Sequence, residues 1–231
     1  MIGNLPVWIE ILFILTCIGT IGLFYYSNSK PKVLILFIIL LSIVQSILAY
    51  NGFYQITDTI PPRFLFVILP SLLVIIYGLL PKQIAWVMNN RNTKISTFLH
   101  VVRLPVEIIL LYLFLNKMIP QLMTFEGINY DILIGITAPI IGFLYLKIKI
   151  SKTFLMYWNI IGLILVLFIM IIGTLSAELP FQQFAFEQPN RGLQYFPFIL
   201  LPVLIVPLVI YAHITDIIKL KKEITTIRNT T

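Results

Sequence analysis

Charge is scarce in this chain. Only 11% of its 231 residues are charged, and the 9 acids are outnumbered by 16 lysines and arginines. Soluble domains carry about 25% charged residues. With 59% hydrophobic residues and a mean hydropathy of +1.00, a water-soluble globule of this size is excluded. One cysteine, Cys17 in an apolar run, excludes a disulfide framework. The same composition excludes disorder and a coiled coil. CxxC, GxSxG and glycine-rich phosphate loops are all missing. With two histidines, His100 and His213, no three-histidine zinc centre can be assembled. Period-2 alternation is also lacking, which argues against a β-barrel.

What remains is apolar runs. A bilayer core of roughly 30 Å takes about 20 residues of helix, and backbone groups in lipid must pair within their own segment. Seven runs qualify: 5–27, 32–51, 63–80, 96–117, 130–148, 153–176 and 194–214. The expected fold is therefore all-α, a single polytopic domain of seven transmembrane helices followed by a basic tail over 215–231.

The cations set the orientation. Loops on one side and the C-terminal tail hold twelve of the Lys and Arg residues, from Lys30 and Lys32 to Arg228, whereas Arg63, Lys117 and Arg191 lie on the other. Positive loops stay in the cytoplasm, which places the N-terminus outside and the C-terminus inside. The net charge of +7 is thus spread over short loops, and no nucleic-acid partner is expected. No basic residue precedes Lys30, so a cleaved signal peptide is not expected. Trp8, Trp86 and Trp158 fall near span ends, where amphipathic rings prefer to lie. Residues 82–92, after Pro81, suggest a short interfacial helix. Ile214, Ile217, Ile218, Ile224 and Ile227 repeat at near-helical spacing among lysines, as in a helix extension on anionic lipid.

The fourth run carries the costly residues. At about 100° per residue, His100 and Glu107 project within roughly 20° of each other and Arg103 about 60° from His100. All three share a face. A lone charge at mid-membrane costs at least about 2.5–3.5 kcal/mol on insertion scales, so this face should turn inward to partners. Arg103 and Glu107, four residues apart, can pair along the helix. Pro105 frees the Val101 carbonyl and kinks the helix. Gln45 and Ser46 on the second run and Asn159 on the sixth reach similar depth, and Glu10 lies in the outer half. Both histidines fall in the cytoplasmic half, so a bis-histidine haem or a mixed His/carboxylate metal site is geometrically allowed. Neither is expected, and no cofactor is.

On the outer side, Glu126, Asn129 and Asp131 lead into the fifth run, with Asp131 placed to cap that helix. The segment 177–193 reads as a structured lid. Its Phe181 and Phe184 would lie against lipid or the bundle, while Gln182, Gln183, Gln188 and Asn190 face water or a ligand. With Arg63 these groups describe an outward vestibule. Pro197, Pro202 and Pro207 suit a helix that lines a cavity or moves, though such prolines are also tolerated in membrane helices.

The strings HVVRLPVE (100–107), MTFEGINYDIL (123–133) and FQQFAFEQPN (181–190) resemble a family of bacterial seven-helix membrane proteins with no established activity. The likeness runs from Arg63 onward. It implies seven spans in a bacterial cytoplasmic membrane and nothing about chemistry. A mid-span lysine for retinal is missing from 194–214. Three roles remain. The first is binding or translocation of a small polar or amphipathic molecule above Arg103 and Glu107. The second is a membrane-embedded enzyme on a lipid or isoprenoid, with Glu107 as general acid/base and His100 as a second proton carrier. The third is a structural subunit whose polar residues lock helices together. Membrane lipids are the one partner common to all three.

The orientation is directly testable. In a Cys17→Ser background, a cysteine at Glu126 is expected to react with an impermeant maleimide in intact cells or spheroplasts. A cysteine at Lys221 should react only after the membrane is opened. The reverse pattern would invert the topology.

Overall fold

The computed structural model describes residues 2 and 5–230, without the side chains of residues 227, 228 and 230, so the readings of Ile227 and Arg228 fall outside the described side chains. Every regular element among the described residues is helical. Helices α1 (Val7–Ser27), α2 (Lys32–Tyr50) and α8 (Lys152–Leu175) are continuous. A fourth long helix, Thr93–Leu115, is α5 (Thr93–Leu99) and α6 (Arg103–Leu115) joined through a 3₁₀ turn at His100–Val102. A fifth begins as a π-helical turn, Leu201–Ile205, and continues as α9 (Val206–Thr230). These five are long and apolar enough to cross a membrane, which is the build of a membrane protein.

The other two apolar runs are shorter than the sequence suggests. Run 63–80 yields α3 (Leu65–Gly78), which meets α4 (Pro81–Asn90) at 71°. Pro81 explains this bend: Leu80 before it is extended, and Pro81 opens α4 in the first turn, where an N–H has no intrahelical acceptor to lose. Counted together, α3 and α4 make a sixth, broken crossing. Run 130–148 yields only α7 (Ile132–Leu146), 15 residues or about 22 Å at 1.5 Å per residue. The chain before it makes a 3₁₀ turn at Gln121–Met123, then runs without regular structure to Asp131 and folds into the bundle. It satisfies its own backbone there: Thr124 Oγ1 donates to the Gln121 carbonyl, and the Gly127 and Asn129 amides donate to the Thr124 carbonyl. Non-helical backbone at membrane depth survives only in such protein-lined surroundings.

Polar caps start two of the helices. Asn92 accepts from the Lys94 and Ile95 amides ahead of α5, and Ser151 from the Phe154 amide ahead of α8. The π turn and α9 run through the centre, flanked by α8, α3 and α5, while α1 covers α5 and α6, and α7 covers α5. Phe13, Leu99, Leu113, Phe198 and Leu204 fill the main core. Lipid is as apolar as leucine, so close packing rather than water exclusion holds such helices together. Small residues allow it: a Cβ on Gly142 would come within 2.8 Å of the Phe98 ring.

The short helix expected after Pro81 is present as α4. Trp158, in contrast, is not at an interface. It is buried, donates from Nε1 to Thr137 Oγ1 at 3.1 Å, and stands edge-on to both histidines. The extension beyond residue 214 continues α9 and is held against the bundle. Lys219 Nζ donates to the Arg91 carbonyl, and Glu223 pairs with Lys152 at 2.6 Å.

The fold of 121–131 depends on Gly127. A Cβ there would sit 2.2 Å from the Gln121 carbonyl oxygen, a backbone atom that cannot swing aside. Gly127→Ala is expected to cost about 1–3 kcal/mol, read as a lowered Tm in detergent. Gly19→Ala, with nothing within 4 Å of its added methyl, should leave Tm unchanged or raised.

Candidate functional site: a buried polar cluster

The shortness of α7 makes the site. Because the helix starts late, Asn129 and Asp131 lie beside Arg103 and Glu107 inside the bundle. Arg103 Nη1 donates to Asp131 Oδ1 at 2.7 Å. Its Nη2 contacts His213 Nε2 at 2.8 Å, and both terminal nitrogens reach toward the Gly162 carbonyl at 3.4–3.5 Å. A guanidinium has donors only, so His213 Nε2 accepts. The proton of His213 then sits on Nδ1, which donates to Asn159 Oδ1 at 2.8 Å. Asn159 is oriented in turn by donating to the Leu155 carbonyl at 2.9 Å. Gly162 admits the ring, since a Cβ there would fall 2.5 Å from His213 Cε1.

His100 lies flat on His213, with centroids 3.8 Å apart and planes 12° from parallel. Glu107 takes a different partner from Arg103. Its Oε1 accepts from Asn129 Nδ2 at 2.7 Å. Asn129 also donates to the Met123 carbonyl at 3.0 Å and accepts the Asp131 amide at 3.1 Å. The whole group is sealed: His100 and Asn159 are 0% exposed, Glu107 1% and Arg103 2%. Several polar atoms nonetheless find no partner among the described residues, namely both ring nitrogens of His100, Glu107 Oε2 and Arg103 Nε.

A second buried ion pair lies one turn further along α9. Arg91 Nε donates to Asp216 Oδ1 at 2.6 Å and Nη2 to Oδ2 at 3.1 Å. Asn28 Oδ1 accepts from Nη1 at 2.9 Å, and Ser96 Oγ also accepts from Nη2. Arg91 is 3% and Asp216 0% exposed. His213 and Asp216 are three residues apart, so one face of α9 carries a polar column through both pairs. Sequence reasoning counted Arg91 as a loop cation and passed over Asp216. The available signal was an acid one turn past a histidine, in a tail otherwise rich in lysine.

Of the residues singled out from the sequence, His100, Arg103, Glu107, Asn129, Asp131 and Asn159 come together, and His213 joins them. Three expectations are corrected. Arg103 and Glu107 do not pair, because Asp131 and Asn129 reach them first. Asp131 makes no side-chain cap to α7, its carboxylate being committed to Arg103. Nor is Asp131 an outer-surface acid, since it is only 7% exposed.

The other candidates stand apart. Gln45 joins α2 to α3, donating to the Phe66 carbonyl at 3.0 Å and accepting from the Tyr54 hydroxyl. Arg63 lies 4.7 Å over the Phe53 ring, and Glu126 is exposed. The segment 177–193 is structured, but its amides serve backbone rather than a vestibule. Gln188 Nε2 donates to the Phe114 carbonyl at 3.1 Å and also to that of Ile119, and Asn190 Nδ2 to that of Gly173 at 2.9 Å. Gln182 and Gln183 bond to Phe184 and Phe181 within the loop. Arg191 closes the segment on Glu178 at 2.6 and 3.0 Å, and this bond holds the Glu178 carboxyl below its ordinary range.

The histidines do not fit a shared metal or haem. Both nitrogens of His213 are occupied, and the rings face each other instead of flanking an iron. Among the described residues no group of three or more His, Cys, Asp or Glu side chains converges as metal ligands would. No family model, curated protein or solved structure matches the chain.

The Arg91–Asp216 pair is the cleaner test of what such burial costs. Arg91→Leu alone strands a buried carboxylate and is expected to lose about 3–5 kcal/mol. Arg91→Leu with Asp216→Leu should recover most of that loss. Thermal melts of the two variants in one detergent decide it.

Proposed function

We propose that the chain is a seven-span protein of a bacterial cytoplasmic membrane, N-terminus outside, and that its polar cluster binds a small polar or amphipathic molecule and passes it across the membrane with proton exchange. The observation that carries this reading is the set of unpartnered polar atoms on one face of the 93–115 helix. Buried polar groups almost always find hydrogen-bond partners, and a cluster built only to hold helices together has no reason to leave His100, Glu107 and Arg103 Nε unmet. Chains of acids and histidines at this depth are the usual means of moving protons through a bundle. Here Glu107, Asn129, Asp131, Arg103 and His213 form one connected hydrogen-bonded set, in which the carboxyl groups and the histidines are the groups able to carry a proton.

The conformation described is an occluded one. Opening would act on the most irregular spanning segment, the π turn at Leu201–Ile205, which Pro197, Pro202 and Pro207 border or interrupt. Turns of this kind cluster at functional sites. Moving α9 about that turn shifts His213 against Arg103 and His100, exposing the unpartnered atoms. Glu107 exchanges the proton, and Arg103, held by Asp131, supplies positive charge for an anionic group. A purely structural role is the second reading, favoured by the three partners that Arg103 already has.

Proteoliposomes carrying a lumenal pH indicator discriminate between the two. The proposal expects proton flux above protein-free vesicles, reduced at least tenfold in Glu107→Gln with little change in Tm. Equal flux in both proteins, or none in either, would reject it. A variant that changes Tm alone would establish the structural role.

A further inference from the structure

A groove of about 930 Å³ lies between α2 and α3, away from the polar cluster, at the upper end of the roughly 300–1,000 Å³ of ligand sites. Its shape follows from one hydrogen-bonded junction. Gln45 binds the first turn of α3 through the Phe66 carbonyl, and the groove lies beyond it, toward Lys30 and Lys32. Leu208 and Tyr211 of α9 form the floor, and α4 borders the mouth with Gln83 and Trp86. A Cβ on Gly78 would meet the Tyr211 ring at 2.4 Å, so a glycine at this position keeps the floor packed against α3.

Two measures identify the occupant. Along α2 the lining extends from Lys32 to Leu41, a rise of about 14 Å at 1.5 Å per residue. That is close to half of a hydrocarbon core of about 30 Å, the depth of one leaflet. The walls are apolar over this depth, while Lys30 and Lys32 stand at the mouth and no Asp or Glu contributes to the lining. Both lysines are exposed, and among the described residues neither joins an ion pair.

We propose that this groove seats one anionic phospholipid of the leaflet on the lysine side, its acyl chains between α2 and α3 and its phosphate on Lys30 and Lys32. Trp86 lies at headgroup level, where an amphipathic ring is most stable. The site is selective where the surrounding lipid annulus is not, because α2 packs loosely on the bundle and leaves a slot walled on three sides. The lipid completes the packing of α2, the least enclosed of the long helices.

Native mass spectrometry of the full chain in detergent, titrated with phosphatidylglycerol or phosphatidylcholine, tests the assignment. The expected result is one tightly retained phosphatidylglycerol and weaker phosphatidylcholine. Lys30→Gln with Lys32→Gln should lower phosphatidylglycerol retention about 25-fold, near fivefold for each lysine. Lys147→Gln with Lys149→Gln removes equal charge from the same end and should leave retention unchanged. Val74→Trp fills the slot and should release both lipids. Equal retention of the two lipids by the wild type, equal loss in both lysine pairs, or an undisturbed complex in Val74→Trp would each overturn the proposal. Glu107→Gln should retain the lipid fully, so failure here and failure of the transport reading are separate results.

Discussion

An arginine in the middle of an apolar bundle must be met, and the architecture around Arg103 is arranged to meet it. A guanidinium offers five donors and no acceptor, and it does not shed its charge. Asp131 neutralises it at 2.7 Å, His213 and the Gly162 carbonyl take further donors, and four segments of chain are thereby fastened at one depth. The carboxylate reaches this depth only because α7 begins late. The short helix, the self-bonded turn before it, and the glycine on α8 that admits His213 all follow from satisfying one charge.

Burial of this kind adds less to stability than it removes in freedom. Two ions taken from water regain little net energy even when well paired, yet leaving either alone is severe. The Arg91–Asp216 pair repeats the arrangement one turn along α9. Together the two pairs specify the position of α9 within the bundle: any rotation of the helix would part His213 and Asp216 from their arginines at once. Apolar contacts could tolerate such a slip, because leucine against leucine differs little from leucine against lipid. Polar pairs supply the register that hydrophobic packing lacks here.

The periphery obeys a looser rule. Helix α2 is held toward one end by Gln45 and borders the open groove at the other. The fold thus divides into a hydrogen-bonded centre and a loosely packed edge. Our two proposals, transport chemistry at the first and lipid recognition at the second, rest on different residues.

Composition and periodicity were enough to determine the class and the inward face of the fourth run, because hydropathy and helical spacing are local properties. His100, Arg103 and Glu107 could be placed on one face by counting, and the cost of charge in hydrocarbon required that face to be buried. Partners were another matter. Arg103 has an acid four residues away, and local geometry favoured it, yet Asp131 from 28 positions further on took its place. That choice depends on where α7 starts, which hydropathy overestimates because the residues around it are apolar whether or not they are helical. Asp216 falls within the basic tail by sequence, and α9 carries it beside Arg91. The amides of 177–193 are expected by sequence to face water or a ligand, whereas Gln188 and Asn190 hold the carbonyls of Phe114, Ile119 and Gly173. Sequence alone determined which residues are too costly to face lipid. Only the tertiary structure decided which of them meet, because a buried ion takes the partner that converging helices bring within hydrogen-bond reach, not the one nearest along the chain.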